Sequence, residues 1–223
     1  MSARRSSHMA TTSAAHPAQQ RLVDELRRQG IADERVLGAI AKVPRHLFVD
    51  DALQSRAYEN TALPIGHAQT ISQPYVVALM TQAVLGGRKP PQRVLEIGTG
   101  CGYQTAILAE LVPVVFTVER IKPLSEQARK RLGALHYRNI HFGYADGSQG
   151  WLPYAPYDGI LVTAGAEAVP PALMQQLAPT GRLVMPVGPQ GAQRLKLIER
   201  RIAGFHEQDL GAVSFVPLLP GKC

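Results

Sequence analysis

The sequence predicts a doubly wound α/β fold, a mostly parallel sheet layered with helices, and three observations carry that prediction. From residue 92 onward, short apolar strand-like runs alternate with helix-like segments. A glycine-rich turn, Gly98-Thr99-Gly100-Cys101-Gly102, joins the first of those strands to the first of those helices. Successive strand ends carry acids or glycines: Glu96 at the first, Glu119 at the second, Asp146-Gly147 after the third. In open α/β sheets such ends border the crevice where nucleotides are held.

Taken in order, residues 1–17 mix Ser, Ala, Thr, His and Arg without an apolar stretch and read as a disordered leader, not a secretory signal. Residues 18–223 read as one domain, helices and a long loop over 18–91 and the α/β core over 92–223. Residues 18–29 put Leu22, Val23 and Leu26 on one helix face, and Gly30 stops it. Asp33 caps a second helix running to Val43, before Pro44. Residues 45–72 have little periodicity and contain Asn60, Pro64 and Gly66, which predicts a long loop, functional or disordered. Pro74 opens a helix to Leu85, separated from the core by Gly86-Gly87 and Pro90-Pro91. Strands are predicted at 93–97, 114–118, 139–143, 158–163 and 182–187, and helices at 103–111, 123–133 and 170–178. That series implies parallel strands covered by helices on both faces. Residues 194–202 and 210–216 read as an antiparallel pair, turning around Gly204, that closes the sheet.

Composition narrows the function classes. No apolar run reaches the roughly 20 residues of a membrane span, so no membrane partner is expected. Only two cysteines occur, Cys101 and Cys223, neither placed for a disulfide, which favours a reducing, cytoplasmic setting. The net charge of +7 raises nucleic acid as a partner. The basic residues are dispersed, however, and the few aromatics are not interleaved with them as a stacking platform requires, so no nucleic acid partner is expected. The histidines stand apart from cysteines and carboxylates at metal-ligand spacing, so no metal is expected.

The glycine spacing is G-x-G-x-G. A dinucleotide fingerprint needs a glycine at 103, where this chain has Tyr103. That favours an adenosyl ligand without a pyrophosphate, S-adenosylmethionine first, over NAD. Glu96 reads either as a solvent-facing strand-end acid or as a group that orients loop amides or reaches the cofactor through water. Glu119 can accept hydrogen bonds from both ribose hydroxyls; read without its neighbours it is equally a surface acid. Asp146 can accept from the adenine amine, and Gly147 lets the backbone approach; alone, Asp-Gly is an ordinary turn.

The remaining unusual segment is His67-Ala68-Gln69-Thr70-Ile71-Ser72-Gln73-Pro74-Tyr75. Its plain reading is a helix start, with Ser72 as N-cap and Pro74 in the first turn. Together with PIGHAQTISQPYVVALM (64–80), RVLEIGTGCGYQTAILAEL (93–111), TVERI (117–121), YDGILVTAGA (157–166) and GRLVMPVG (181–188), it closely resembles the protein-L-isoaspartate O-methyltransferases. The likeness runs from about residue 21 to about 219, and Q-T-I-S-Q-P is its most specific string.

The resemblance implies the Rossmann-like class I methyltransferase fold and S-adenosyl-L-methionine as methyl donor, with S-adenosyl-L-homocysteine as product. It implies methylation of the free α-carboxylate of L-isoaspartyl (and D-aspartyl) residues in damaged proteins and peptides, a repair activity, typically cytosolic, in a chain expected to be monomeric. By position it makes Ser72 the active-site serine. Gln69, Thr70 and Ile71 belong to a loop over cofactor and substrate, with His67 and Gln73 beside the substrate. It gives Glu96, Gly98, Thr99, Gly100, Gly102, Glu119, Arg120, Asp146 and Gly147 to the cofactor. The chain departs from the family pattern at Ala68, where glycine is frequent, and at Cys101, where serine is frequent. Rival readings are a nucleic-acid or amide methyltransferase, a non-catalytic cofactor-binding module and a nicotinamide dehydrogenase. Thr163-Ala164-Gly165-Ala166 in place of an Asp/Asn-Pro-Pro-Tyr clamp counts against the first, an intact Ser72 against the second, and the glycine spacing against the third.

Overall fold

The computed structural model describes residues 17–86 and 90–223. The expected leader, except Pro17, and Gly87 of the expected separator lie outside the described residues. Pro17 instead heads helix α1 (Pro17–Arg28), since its fixed φ suits a first helical turn. Helix α2 (Glu34–Lys42) starts at Asp33, whose side chain accepts from the Arg35 N–H. Gln19 on α1 donates to the Ile40 and Val43 carbonyls at 2.7 and 2.9 Å, satisfying acceptors that the end of α2 leaves open.

The expected loop over 45–72 is more ordered than its composition suggests. Two 3₁₀ turns, Arg45–Phe48 and Asp51–Arg56, lead into a two-stranded hairpin, β1 (Leu63–Pro64) with β2 (Thr70–Ile71). Elements this short show no periodicity to read. Helix α3 (Pro74–Leu85) follows.

The core runs β3 (Arg93–Ile97), α4 (Tyr103–Ala109), β4 (Val114–Glu119), α5 (Lys122–Ala134), β5 (Ile140–Tyr144), β6 (Tyr157–Val162), α6 (Pro171–Gln175), β7 (Leu177–Val187), β8 (Gln193–Arg201) and β9 (Gly204–Val213). The sheet order is β5-β4-β3-β6-β7-β8-β9, parallel through β7 and antiparallel at β8 and β9. The chain winds outward from β3 to β5, then crosses to β6 on the other side of β3, so the switch point lies between β3 and β6.

Three expectations need correction. The predicted helix over 170–178 is cut to α6, because Pro179 disfavours helix at Ala178 and Leu177 already pairs with Tyr157 of β6. The last strand occupies 204–213, not 210–216. It is an exposed edge strand sealed by ion pairs such as Arg194–Asp209 at 2.9 Å and Lys196–Glu207 at 2.8 Å, so it carries no apolar alternation. Finally, helices do not cover both faces equally. Val94, Val115, Leu161 and Val184 pack with α1–α4 and Leu132 of α5. On the other face Leu95, Phe116, Ile160 and Leu183 meet α6 and Trp151, beside the 3₁₀ turns Gly147–Gln149 and Leu152–Tyr154.

Candidate active site

A cleft opens along the carboxyl ends of β3, β4 and β6, at the switch point, with the β1–β2 hairpin on one side and residues 216–219 on the other. Its floor is the glycine turn after β3. Gly98 adopts φ +94, and a Cβ there would lie 2.3 Å from Thr163 Oγ1; Gly100 adopts φ +53 with its open side towards Ile65. Both are left-handed conformations that side chains rarely take. Gly98, Thr99 and Gly100 line the cleft. Gly102 does not: at φ +91 it starts α4, and a Cβ would meet Leu132 at 2.9 Å, so its smallness serves helix packing.

Glu96 also lies outside the cleft lining, and it is not the solvent-facing strand-end acid of the plain reading. It is fully buried, and its Oε2 accepts from Thr105 at 2.5 Å and Thr117 at 2.6 Å. Strand alternation is the reason: Glu96 shares a face of β3 with Val94, the face that α4 covers. Burial pushes its carboxyl up to about 8, against the pull of the two threonine hydroxyls. The unfolded chain releases this proton near 4.5 while the folded chain keeps it to about 8, so Glu96 weakens the fold progressively as pH rises through that interval. Glu96→Gln, which has no proton to lose, is therefore expected to gain about 2–3 kcal/mol relative to the parent between pH 5 and pH 7. Denaturant titrations at both pH values check this; an equal difference at the two would contradict a neutral Glu96.

Glu119 ends β4 at the cleft. Its Oε2 accepts from the Gly100 N–H at 2.9 Å, and its Oε1 from the N–H groups of Arg120 and Ile121, each at 2.9 Å. A carboxylate offers about four acceptor directions, so the three amides fix the group and leave Oε2 able to accept one hydroxyl more. Arg120 lines the cleft too, but its guanidinium donates to the Gly221 carbonyl at 3.1 Å.

Gly147 lies in the cleft wall, with Ile97 Cγ2 2.3 Å from where a Cβ would stand. Asp146 is not in that wall. Its Oδ1 accepts from the Ser148 N–H and hydroxyl at 2.9 and 2.7 Å, and its Oδ2 from the Gly221 N–H at 2.7 Å. Burial opposes ionisation, but the Gly221 and Ser148 hydrogen bonds outweigh it and hold the carboxyl below its ordinary value. Asp146 thus caps a 3₁₀ turn and ties down the C-terminal segment.

On the other side, Gln69, Thr70, Ile71 and Ser72 all line the cleft. The hairpin turn Gly66-His67-Ala68-Gln69 is closed by the Gln69 N–H on the Gly66 carbonyl at 2.9 Å, with His67 at φ 53 and Ala68 at φ 54. Two left-handed central residues make a type I′ turn, which favours Asn-Gly. Restoring the frequent glycine, Ala68→Gly, is expected to raise stability by roughly 0.5–1 kcal/mol. A lower denaturation midpoint would contradict the left-handed turn. His67 sits on this exposed tip and Gln73 at the N-cap of α3, with Pro74 following; neither lines the cleft, and Ser72 precedes the cap instead of forming it. Strand pairing with β1 turns this short segment towards the glycine turn.

Several lining residues were not assigned to the site from the sequence. Thr163 donates to the Ile97 and Gly98 carbonyls at 3.0 and 2.8 Å, bracing the glycine turn. Val216, Pro217, Leu218 and Leu219 form the far wall. They are held by the Gly165 N–H on the Val216 carbonyl at 2.8 Å and the Leu218 N–H on the Gly165 carbonyl at 2.7 Å. The apolar string after β9 was the available clue.

Among the described residues no helix is long and apolar enough to cross a membrane. Residues 17–222 match the family described as protein-L-isoaspartate(D-aspartate) O-methyltransferase. A protein-L-isoaspartate O-methyltransferase of Halorhodospira halophila is 56% identical over 204 residues, 91% of each chain. One of Pseudomonas syringae pv. tomato is 58% identical over 202 residues, 91% of this chain and 95% of that one. A solved protein-L-isoaspartate O-methyltransferase superposes with a TM-score of 0.81 at 29% identity; it covers 89% of this chain, which spans 65% of that longer one. A Plasmodium falciparum protein assigned to the same class, solved in complex with S-adenosyl-L-homocysteine, gives 0.75 at 25% identity over 90% of this chain and 98% of that one. With a cleft at the switch point and relatives matched along nearly their whole length, the chain belongs to the protein-L-isoaspartate(D-aspartate) O-methyltransferase family.

Proposed function

We infer that this protein transfers a methyl group from S-adenosyl-L-methionine to the free α-carboxylate of L-isoaspartyl, and D-aspartyl, residues in damaged proteins. The observation that carries the reading is the meeting, in one cleft, of the Gln69–Ser72 segment with the glycine turn and Glu119. The residues fit an adenosyl ligand. Gly98 and Gly100 supply the left-handed backbone of the turn that floors the cleft, Gly147 lets the wall backbone close on Ile97, and Glu119 presents a fixed acceptor for a ribose hydroxyl. The donor supplies an electrophilic methyl carried on a sulfonium.

The acceptor needs no base. An α-carboxyl has a reference pKa of about 3.5 and is already an anion at neutral pH. What remains is to desolvate it and aim one oxygen. Ser72, half-buried at the cleft wall, donates its hydroxyl to that carboxylate. Ile71, buried beside it, helps exclude water. Thr70 and Gln69 continue the wall towards the mouth.

We read residues 18–223 as one methyltransferase domain, monomeric and cytoplasmic, without a nucleic acid partner. The unpaired Cys101 and Cys223 support a reducing compartment, and Thr163-Ala164 at the end of β6 supplies no aromatic clamp for a base. Incubation with methyl-labelled S-adenosyl-L-methionine and matched peptides tests the activity. Base-labile label on the isoaspartyl peptide alone is expected. Equal labelling of the aspartyl peptide, or labelling of RNA instead, would overturn the reading.

A further inference from the structure

Beneath the Ser72 segment lies a cation that the mechanism above does not use. Arg45 is completely buried. Its Nε donates to the Ala57 carbonyl at 2.9 Å, and its Nη2 to the carbonyls of Ser72 at 2.8 Å and Thr61 at 3.4 Å. Its guanidinium lies 4.8 Å from the centroid of the Tyr103 ring, and Tyr103 lines the cleft. Carbonyls solvate a guanidinium but do not neutralise it, and no carboxylate pairs with Arg45 among the described residues. Arg45 Nη1 and the Tyr103 hydroxyl face each other without a well-formed hydrogen bond, and neither has another partner among those residues. Burying a charge without a counter-ion is costly, and proteins ordinarily pair it.

The missing charge has a natural source, because the site receives an anion. We propose that Arg45 is a positioning residue for the methyl acceptor: it fixes Ser72 through its backbone carbonyl, and its unneutralised charge draws the acceptor carboxylate to the Ser72–Tyr103 wall. The proposal rests on the isoaspartyl reading, and the parent protein's labelling of that peptide tests the reading separately. Arg45 acts one residue behind the surface, through Ser72 and Tyr103, and touches no reacting atom.

The test compares Arg45→Gln, which removes the charge, with Arg45→Lys, which keeps it but loses the planar fork. In Arg45→Gln the KM for an isoaspartyl peptide is expected to rise about tenfold or more, the scale of one contact to a charged group. Its kcat should fall as well, by less than in Ser72→Ala, because Ser72 keeps its hydroxyl but loses a backbone anchor, while its Kd for S-adenosyl-L-homocysteine should stay within about twofold. Arg45→Lys should recover most of the KM. Equal losses in the two variants, or an unchanged KM in a folded Arg45→Gln, would reduce Arg45 to a structural tie. If Arg45→Gln does not fold, a second pair decides with Arg45 in place. Thr61→Asp, which adds a negative charge on the residue whose carbonyl accepts from Nη2, should raise the peptide KM while Thr61→Asn does not; equal values would overturn the proposal.

Discussion

Replacing Ser72 with alanine is expected to lower kcat for an isoaspartyl peptide roughly 10- to 100-fold while leaving S-adenosyl-L-homocysteine affinity within about twofold. The size follows from what is lost. A hydrogen bond to a charged group contributes about 1.5–3 kcal/mol, and each 1.36 kcal/mol is about tenfold in rate. The split follows from geometry, because Glu119 and the Gly98–Gly100 turn hold the cofactor side of the cleft while Ser72 stands on the hairpin side. Steady-state kinetics with isothermal titration of the product would separate the two effects. An unchanged turnover would remove Ser72 from the acceptor's grip.

Gly98→Ala is expected to cost roughly 3–5 kcal/mol of stability and to weaken cofactor binding at least about tenfold. The left-handed φ of +94 alone costs a side chain about 1–2 kcal/mol. The new Cβ would also stand 2.3 Å from Thr163 Oγ1, and that hydroxyl cannot move without giving up its bonds to the Ile97 and Gly98 carbonyls. Removing the obstacle should recover part of the loss. The double variant Gly98→Ala/Thr163→Ala is expected to be more stable than the sum of the single changes by about 1 kcal/mol or more. Strict additivity would mean that the two positions do not meet.

The parallel core was legible because β3, β4 and β6 are short apolar runs with glycine, proline or an acid beside them, each followed by a helix. The strand-end logic also located the cleft and placed Glu119 and Gly147 in its wall. It did not tell which way Glu96 points, for a definable reason. A central strand buried on both faces shows no polar and apolar alternation, so nothing in Val94-Leu95-Glu96-Ile97 says which face the acid takes. Asp146 stands at a strand end as read, just outside the cleft wall, with its oxygens accepting from Ser148 and Gly221. Strand β9 escaped because charge pairing with β8, not apolar burial, holds it in place. Ser72 was singled out by family likeness; its plain helix-cap reading gave way because Gln73 takes the cap. Arg45 drew no attention, since a lone arginine in an aperiodic stretch looks like surface until the fold buries it.

The central claim is that the Ser72 segment holds an ionised acceptor against the methyl donor over one shared cleft. The structure of this chain in complex with S-adenosyl-L-homocysteine and an isoaspartyl peptide tests it most directly. The account predicts the ribose on Glu119, the sulfur directed at the hairpin side, and the peptide α-carboxylate accepting from Ser72 Oγ with one oxygen facing that sulfur. A peptide bound elsewhere, or a carboxylate held away from Ser72 with the sulfur turned to another wall, would contradict it.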